Sequence, residues 1–350
     1  MTGATTDTLS YPATSNRIST VLTGVTTSRT FTHDGAGNIA TDTRSGSTFT
    51  YGYNARGRLA TVSQDGNLKG TYQYNSLEQL ASRVVTNSGA FNGTVHTTQD
   101  RVGNVIAEAD GTTGVVAKEY IWLPGAGYAG TDLPVGVVDV AGTATPELLY
   151  VHADHLGRPI RLTDPAKVTA WAVEWLPWGG VHTISGSETL NARFPGQWFQ
   201  VESGLHYNWH RHYDPSLGRY TQPDPLGFVD GPSVYAYAGN APGELVDFSG
   251  LSPEVPGGPV VIDPRTGERV YPPNPKGPTT GQTIQPETPK PIPELPTLER
   301  ACNRALLLCL AKCTSSPLCG HPAVRAACTA ACATAYSACR FFGQFKKGGS

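Results

Sequence analysis

A motif that recurs about every twenty residues constrains the fold of this chain more than any other feature of the sequence. It occurs at residues 33–39 (HDGAGNI), 53–59 (YNARGRL), 74–80 (YNSLEQL) and 99–105 (QDRVGNV), with steps of 20, 21 and 25 residues. Each copy has an Asp or Asn, two further residues, then usually a Gly, and after that an apolar position. This pattern predicts a strand, a tight turn and a returning strand. We interpret the Asp and Asn side chains as turn formers. A carbohydrate or metal site built from them is the alternative.

The composition indicates a packed, turn-rich protein. Only 15% of the residues are charged, and Gly (40) and Pro (28) together stay below the level typical of disorder, so 350 residues predict two or three domains. The net charge of -2, without a basic stripe, gives no indication of nucleic-acid binding by the body of the chain. We find no secretory signal peptide and no apolar run near the roughly eighteen residues of a membrane span. The sequence therefore predicts no transmembrane segment.

A second stretch, residues 193–251, is dense in tyrosine, glycine and proline, a composition typical of short strands joined by tight turns. Its motifs in chain order are FPGQ (194–197), ESGLHYN (202–208), RHYDPSLGR (211–219), PDPLG (223–227), YAYAGNAP (235–242) and DFSGL (247–251). This series resembles the core domain that ends the β-shell of rearrangement-hotspot (Rhs) and YD-repeat proteins. That family carries polymorphic toxins and includes relatives of the toxin-complex C subunits and of teneurins. The N-terminal motif is similar to the YD repeat.

The resemblance implies a mainly β fold, with a YD-repeat hairpin shell fragment closed by an Rhs core domain. A Pro-rich linker and a small, disulfide-laced α-hairpin are expected to follow. The predicted divisions are an unassigned N-terminal segment (1–28), the repeats (29–118), the core domain (119–251), the linker (252–296), the Cys-rich helical hairpin (297–342) and a tail (343–350). Four or five hairpins leave strand edges unpaired, so a longer Rhs shell is one expected partner.

The family also implies an activity, because many members cut their own chain at the end of an Asp-Pro-x-Gly-Leu motif by an aspartyl-type reaction. Carried over residue by residue, this gives Asp224 and Asp247 as the catalytic pair. The cleaved bond would join Leu251 to Ser252, and Arg219 is a further candidate for orienting a carboxylate. Two neighbouring carboxylates do not both ionise easily, so one can act as the acid and the other as the base.

One departure from the family bears on this prediction. Phe248 stands where the family usually has Pro after the terminal aspartate, and Pro would fix the backbone there. The alternative interpretation is that Asp224 and Asp247 only form turns and that the chain does not cut itself.

Residues 150–159 (YVHADHLGRP) match another motif of the family. His155 beside Asp154 suggests a catalytic or metal-binding role, but no third group stands at ligand spacing. We interpret both side chains as parts of a turn, and we predict no metal site and no cofactor.

All seven cysteines lie between residues 302 and 339. Cys302, Cys309 and Cys313 fall on one stripe of a helix, and Cys328, Cys332 and Cys339 repeat that spacing in mirror order. Two antiparallel helices would form the disulfides Cys302–Cys339, Cys309–Cys332 and Cys313–Cys328. A zinc or copper site is the alternative.

Cys319 is left over in the predicted loop of this hairpin, beside Gly320 and His321. We interpret it as a free thiol, since no third group is present to orient a Cys–His nucleophile.

Together these features predict the C-terminal part of an Rhs-type toxin carrier that frees a C-terminal effector by self-cleavage. The alternative is a non-enzymatic surface or shell protein with a Cys-rich binding module and an inactive motif. The resemblance implies synthesis in the bacterial cytoplasm and a secreted or cell-surface destination, reached without an N-terminal signal peptide, which oxidised cysteines would suit. It also implies an immunity protein and a secretion-system component as partners.

Overall fold

Most of the described chain forms one large antiparallel sheet. The computed structural model describes residues 6–139, 146–228 and 231–253, together with the backbone of residues 261–262 and 269–270. Within these residues each of sixteen strands pairs with the next one along the chain. We call this sheet the wall. Its strands are β1 (Asp7–Ser10), β2 (Thr20–Thr23), β3 (Thr26–His33), β4 (Ile39–Arg44), β5 (Ser47–Tyr53), β6 (Leu59–Gln64), β7 (Asn67–Tyr74), β8 (Leu80–Val85), β9 (Gly93–Gln99), β10 (Val105–Asp110), β11 (Val116–Leu123), β12 (Leu133–Asp139), β13 (Glu147–Ala153), β14 (Pro159–Thr163), β15 (Thr169–Trp175) and β16 (Val181–Gly186).

A smaller antiparallel sheet, the core sheet, follows the wall. Its strands are β17 (Trp198–Gln200), β18 (Leu205–Asn208), β19 (Arg211–Asp214) and β20 (Arg219–Tyr220), and the separate strands β21 (Val261–Ile262) and β22 (Arg269–Val270) pair with each other. Short 3-10 helices lie at η1 (Gly89–Phe91), η2 (Tyr128–Gly130) and η3 (Ala238–Asn240). The predicted mainly β shell fold is confirmed. The Cys-rich hairpin, its three disulfides and Cys319 lie outside the described residues and stay predictions.

The recurring Asp and Asn residues form the turns between wall strands. At Asp34, Asn54, Asn75 and Asp100, the backbone N–H donates to the carbonyl four residues later, and Oδ1 accepts the N–H of that same residue. Asp154 makes the same pair of bonds. The turn interpretation is confirmed at all five positions, because each side chain is occupied by its own turn.

The wall and the core sheet share one hydrophobic core. It contains buried wall residues such as Leu59 and Leu80 together with Leu205 and Tyr207 of the core sheet. A second cluster on the core sheet joins buried aromatic rings, and its members include Phe194, Tyr213, Tyr220 and Tyr237. The centroids of the contacting rings lie 4.7 to 6.5 Å apart, and the rings meet edge-on or tilted.

A buried ion cluster also fastens the wall to the core sheet. Arg29 of β3 contacts Asp42 of the neighbouring strand at 2.5 Å and Asp214 of β19 at 2.7 Å. Its Nη1 donates a further hydrogen bond to Ser216 Oγ at 2.7 Å. Both carboxylates are buried, so the arginine compensates two charges that have little access to water.

Two later repeats contribute similar contacts. Glu202, before β18, accepts hydrogen bonds from Tyr72 at 2.6 Å and from Arg83 at 2.9 Å. Glu108 of β10 accepts a bond from the indole N–H of Trp198 at 2.9 Å. Polar groups on the inner side of the wall therefore set the position of the core sheet.

We expect Arg29→Met to lower the free energy of unfolding by about 3–5 kcal/mol, because Asp42 and Asp214 would stay buried without their shared cation. Urea denaturation of the purified chain, followed by tryptophan fluorescence, measures this loss.

Arg56→Met is the matched control. The Arg56 side chain is 71% exposed and pairs with Glu78 at the surface, where an ion pair contributes little. Equal destabilisation by both substitutions would contradict the role assigned to the buried cluster.

Candidate functional site

The site begins at the hairpin of β18 and β19. Asn208 and Arg211 are the last paired residues, and the turn between them places Trp209 at a φ of 43°. The Arg211 side chain is buried against the core sheet. Its Nη2 lies 2.9 Å from Asp224 Oδ2 and 3.1 Å from Asp247 Oδ2. One guanidinium nitrogen therefore contacts both of the aspartates that were predicted from the sequence to form a catalytic pair.

Asp247 is 1% exposed, and both of its carboxylate oxygens are occupied. Oδ2 accepts the Tyr220 hydroxyl at 2.8 Å and Arg211 Nη2 at 3.1 Å. Oδ1 accepts the backbone N–H groups of Leu251 at 3.0 Å and Ser252 at 3.2 Å. The Ser252 nitrogen belongs to the bond predicted to be cleaved, so Asp247 lies directly against that bond.

Asp224 has a different environment. Its Oδ1 accepts the N–H of Leu226 at 2.7 Å, and its Oδ2 contacts Arg211. Burial raises the pKa of Asp224, and the negative charge of Asp247 adds to this, although Arg211 and the Leu226 N–H act in the opposite direction. Asp224 therefore holds a proton more readily than an ordinary aspartate.

The backbone that leads to the bond is clamped onto the hairpin. The Gly250 carbonyl accepts Arg211 Nε at 2.5 Å, and the Ser249 carbonyl accepts the His210 N–H at 3.2 Å. Gly250 has a φ of 70°, and a Cβ there would lie 2.3 Å from the Asn208 carbonyl oxygen. The glycine is thus required both by its left-handed backbone and by close packing.

Phe248, the departure from the family motif, is 4% exposed. A Cβ at Gly103, in the turn between β9 and β10, would lie 3.4 Å from the Phe248 ring, and a Cβ at Gly196 would lie 1.9 Å from its carbonyl oxygen. The aromatic side chain packs the motif against the wall, while Asp247 keeps its contacts with the following backbone.

Arg219 lies apart from these contacts. Its guanidinium donates to Ser233 Oγ at 3.3 Å and lies 5.4 Å from the centre of the Tyr11 ring. The arginine between the aspartates is Arg211, which opens the same motif but was not proposed from the sequence. The feature of the sequence that could have identified Arg211 is its position at the start of a strand, directly before His212 and Tyr213.

Each aspartate also forms a local turn, as the alternative interpretation expected. Asp224 Oδ1 binds the N–H two residues on, and Asp247 Oδ1 binds those four and five residues on. The turn bonds use Oδ1, whereas the contacts with Arg211 use Oδ2. A turn role and a catalytic role are therefore compatible in the same carboxylates.

The ring of His155, which the sequence indicates to be part of a turn and not a catalytic or metal-binding group, contacts the Gly243 carbonyl at 3.0 Å. Within the described ranges, no three His, Cys, Asp or Glu side chains are placed to share a metal ion. In that same part of the chain, no helix combines the length and the apolar character needed to cross a bilayer.

Comparison with known proteins identifies the family. Toxin protein Tse5 of Pseudomonas aeruginosa is 40% identical over 122 residues, which cover 35% of this chain and 9% of that protein. Double-stranded DNA deaminase toxin A of Burkholderia cenocepacia is 31% identical over 253 residues, which cover 66% of this chain and 17% of the toxin. The probable deoxyribonuclease RhsB of Dickeya dadantii is 37% identical over 105 residues, which cover 29% of this chain and 7% of that protein. The chain belongs to the Rhs/YD-repeat family.

The fold agrees with this assignment. A crystal structure of TcdB2-TccC3 superposes with a TM-score of 0.51 at 17% identity, covering 70% of this chain and 14% of that chain. No protein-family model matches the sequence. The matched regions span less than a fifth of each of these three relatives, so the activities in their names belong to those proteins.

Two histidines, the buried His212 and the half-buried His210, flank the site of this Rhs/YD-repeat chain. The His212 ring lies 6.0 Å from Tyr72 and 5.8 Å from Tyr207, and neither ring nitrogen has a hydrogen-bond partner. Burial, with a contribution from Arg58, lowers the pKa of His212 to about 3 and that of His210 to about 4. Both rings are neutral in the folded protein at neutral pH.

The lowered pKa values of these two histidines predict that the folded protein loses stability in acid. Below about pH 6.5 the unfolded chain binds protons on histidine that the folded chain excludes, so the free energy of unfolding falls as the pH drops from 6.5 towards 4. We expect His212→Gln to make this fall shallower. Urea denaturation at several pH values between 4.5 and 7.5 measures the slope.

His182→Gln, on the exposed strand β16, serves as the control and should leave the slope unchanged. The prediction is wrong if His212→Gln and the wild type lose stability equally on acidification.

Proposed function

We propose that this chain is the C-terminal part of an Rhs-type toxin carrier that cuts itself once, between Leu251 and Ser252. The proposal depends chiefly on Asp247. Its carboxylate is joined to Asp224 through Arg211 and also accepts a hydrogen bond from the nitrogen of the Leu251–Ser252 bond. The product would be a free segment that begins at Ser252.

The reaction is hydrolysis by an aspartate pair. The ionised aspartate removes a proton from water, and the water oxygen adds to the Leu251 carbonyl carbon while the protonated aspartate donates to the carbonyl oxygen. The C–N bond then breaks as the Ser252 nitrogen takes up the proton removed from the water. The former carbonyl oxygen returns its proton to the aspartate that donated it, which leaves a carboxyl group at Leu251. Both aspartates return to their starting states.

Tethering favours this reaction. The bond is part of the same chain and is held at the site by the carbonyl contacts of Gly250 and Ser249, so no encounter with a separate substrate is needed. Well-oriented intramolecular reactions gain up to about 7–11 kcal/mol from such positioning. A site that acts once on its own chain therefore needs less substrate-binding surface than a protease acting on other proteins.

The carrier role rests on the family and on the strand edges of the wall. Among the described residues β1 pairs with β2 alone and β16 pairs with β15 alone, and every residue of β16 is exposed. Such edges can accept further strands, which suits addition to a longer Rhs shell. An immunity protein, a secretion-system component and a secreted or cell-surface location without a signal peptide belong to this proposal.

A non-enzymatic shell protein is the second candidate. It is favoured by the turn bonds of Asp224 and Asp247, which would be formed even in a chain that no longer cuts.

Comparison of the wild type with Asp224→Asn and Asp247→Asn tests the two candidates. We expect the folded wild type to yield one fragment ending at Leu251 and another running from Ser252 to Ser350. Both variants should stay at 37.1 kDa, because an amide neither accepts nor supplies the proton. Intact-mass spectrometry and gel electrophoresis identify the fragments.

Asp154→Asn is the matched control, since Asp154 forms the same kind of turn and pairs with Arg158 away from the aspartate pair. It should cut like the wild type. A folded wild-type chain that remains intact would instead establish the non-enzymatic candidate.

A further inference from the structure

Four hydrogen-bond donors surround the carboxylate of Asp247. Tyr220 and Arg211 donate to Oδ2, and the N–H groups of Leu251 and Ser252 donate to Oδ1. An ionised carboxylate is purely an acceptor, whereas a protonated one must also donate. With two donors directed at each oxygen, the surroundings of Asp247 suit the ionised form.

The direction of the Tyr220 hydroxyl is itself fixed by Asn208. Asn208 Nδ2 donates to the Asp247 backbone carbonyl at 2.9 Å, and because a carbonyl can only accept, this contact orients the amide. The same Nδ2 donates its second hydrogen to the Tyr220 oxygen at 2.7 Å. The tyrosine proton is therefore left to point at Asp247 Oδ2, 2.8 Å away.

Tyr220 also supports the cation of the site. Its buried ring lies 3.7 Å from the Arg211 guanidinium carbon, a stacking distance that holds the guanidinium plane beside both aspartates. Asp224 receives the Leu226 N–H on one oxygen and Arg211 on the other, so it retains lone pairs that can carry a proton.

We infer that Asn208 and Tyr220 are positioning residues that keep Asp247 ionised and leave the single proton of the pair on Asp224. Asp247 then acts as the base, once one of its four donors moves aside to let a water molecule reach a carboxylate oxygen, and Asp224 acts as the acid. This inference rests on the proposed self-cleavage. The water proton that Asp247 removes would then lie next to the Ser252 nitrogen, which must receive it.

Other groups near Asp247 do not obscure this assignment. The titratable and charged groups that face Asp247 are Arg211, Asp224, Tyr220, Tyr237 and His210. Burial raises the pKa of both tyrosines well above 10 and lowers that of His210 to about 4. Between about pH 5 and 9 the cleavage rate therefore reports chiefly on the aspartate pair.

The test compares the pH dependence of cleavage in wild type and Tyr220→Phe. Chains made by cell-free synthesis are transferred to buffers from pH 4.5 to 8.5, and the fraction cut is followed by gel and intact mass. Removing one donor from Asp247 lets it bind a proton more readily. We expect the acid limb of the rate profile to move upward by about one pH unit, so that cleavage at pH values on that limb is about tenfold slower than in the wild type.

Tyr213→Phe is the matched control. Tyr213 belongs to the same ring cluster, but its hydroxyl donates to the Trp178 carbonyl at 2.8 Å and contacts neither aspartate. It should keep the wild-type pH profile. Asn208→Ala, which frees the Tyr220 hydroxyl without removing it, should move the acid limb in the same direction by a smaller amount.

The outcomes separate the two proposals. A wild-type chain that stays uncut overturns self-cleavage, and this inference with it. If the wild type cuts and Tyr220→Phe keeps the same rate and pH profile, the inference alone is overturned. A slower Tyr220→Phe with an unchanged pH profile also overturns it, because that is the effect of lost packing alone.

Discussion

The buried guanidinium of Arg211 is the group on which the rest of the site depends. Two buried carboxylates without a nearby cation would be strongly destabilising, and the planar fork of arginine can serve both at once. The same side chain binds the carbonyl oxygens of Gly250 and Val234 through other nitrogens. The aspartate pair and the backbone leading to Leu251 are therefore positioned by one residue, so neither can move without the other.

The wall gives this arrangement its rigidity. Arg29, Arg83 and Glu108 come from three different hairpins of the wall, and each pairs with a buried polar group of the core sheet or its flanking loops. Unpaired, these groups would be buried at a cost, so the core sheet has one favourable position against the wall. Phe248 extends the same contact to the turn between β9 and β10. The motif at residues 247–251 is thus held by the repeats as well as by the core sheet.

The parts of the fold that could be predicted from sequence are those that depend on neighbouring residues. An Asp or Asn turn closes over four residues, so its signal lies within one motif, and the five turns were predicted correctly. One of these turns departs from the motif, because Glu78 occupies the position usually taken by Gly. Glu78 has a φ of 62° and pairs with Arg58. The pairing of Asp224 with Asp247 came from the family resemblance and not from any local pattern.

Which arginine contacts Asp224 and Asp247 could not be predicted from neighbouring residues. Arg211 and Arg219 stand in the same motif, and Arg211 lies 36 positions from Asp247. Which guanidinium meets the carboxylates depends on the register of β18 with β19 and on the path of the chain from residue 221 to 246. Tyr220 and Asn208 were missed for the same reason. Their roles follow from hydrogen-bond directions, which no spacing in the sequence encodes.

The turn at Asp247 is compatible with the catalytic role proposed for the same carboxylate. By capping the N–H groups of Leu251 and Ser252, Asp247 necessarily lies at the bond between them. Hydrolysis there would convert the Ser252 amide into an amine that is no longer tethered, and it would add a carboxylate at Leu251 beside two aspartates that share one arginine. The new carboxylate would be repelled by the aspartates that share Arg211. The new Ser252 amine would be largely protonated at neutral pH, and a protonated amine does not attack a carboxyl carbon. These charges would oppose resealing of the bond, which suits a reaction that each chain would perform once.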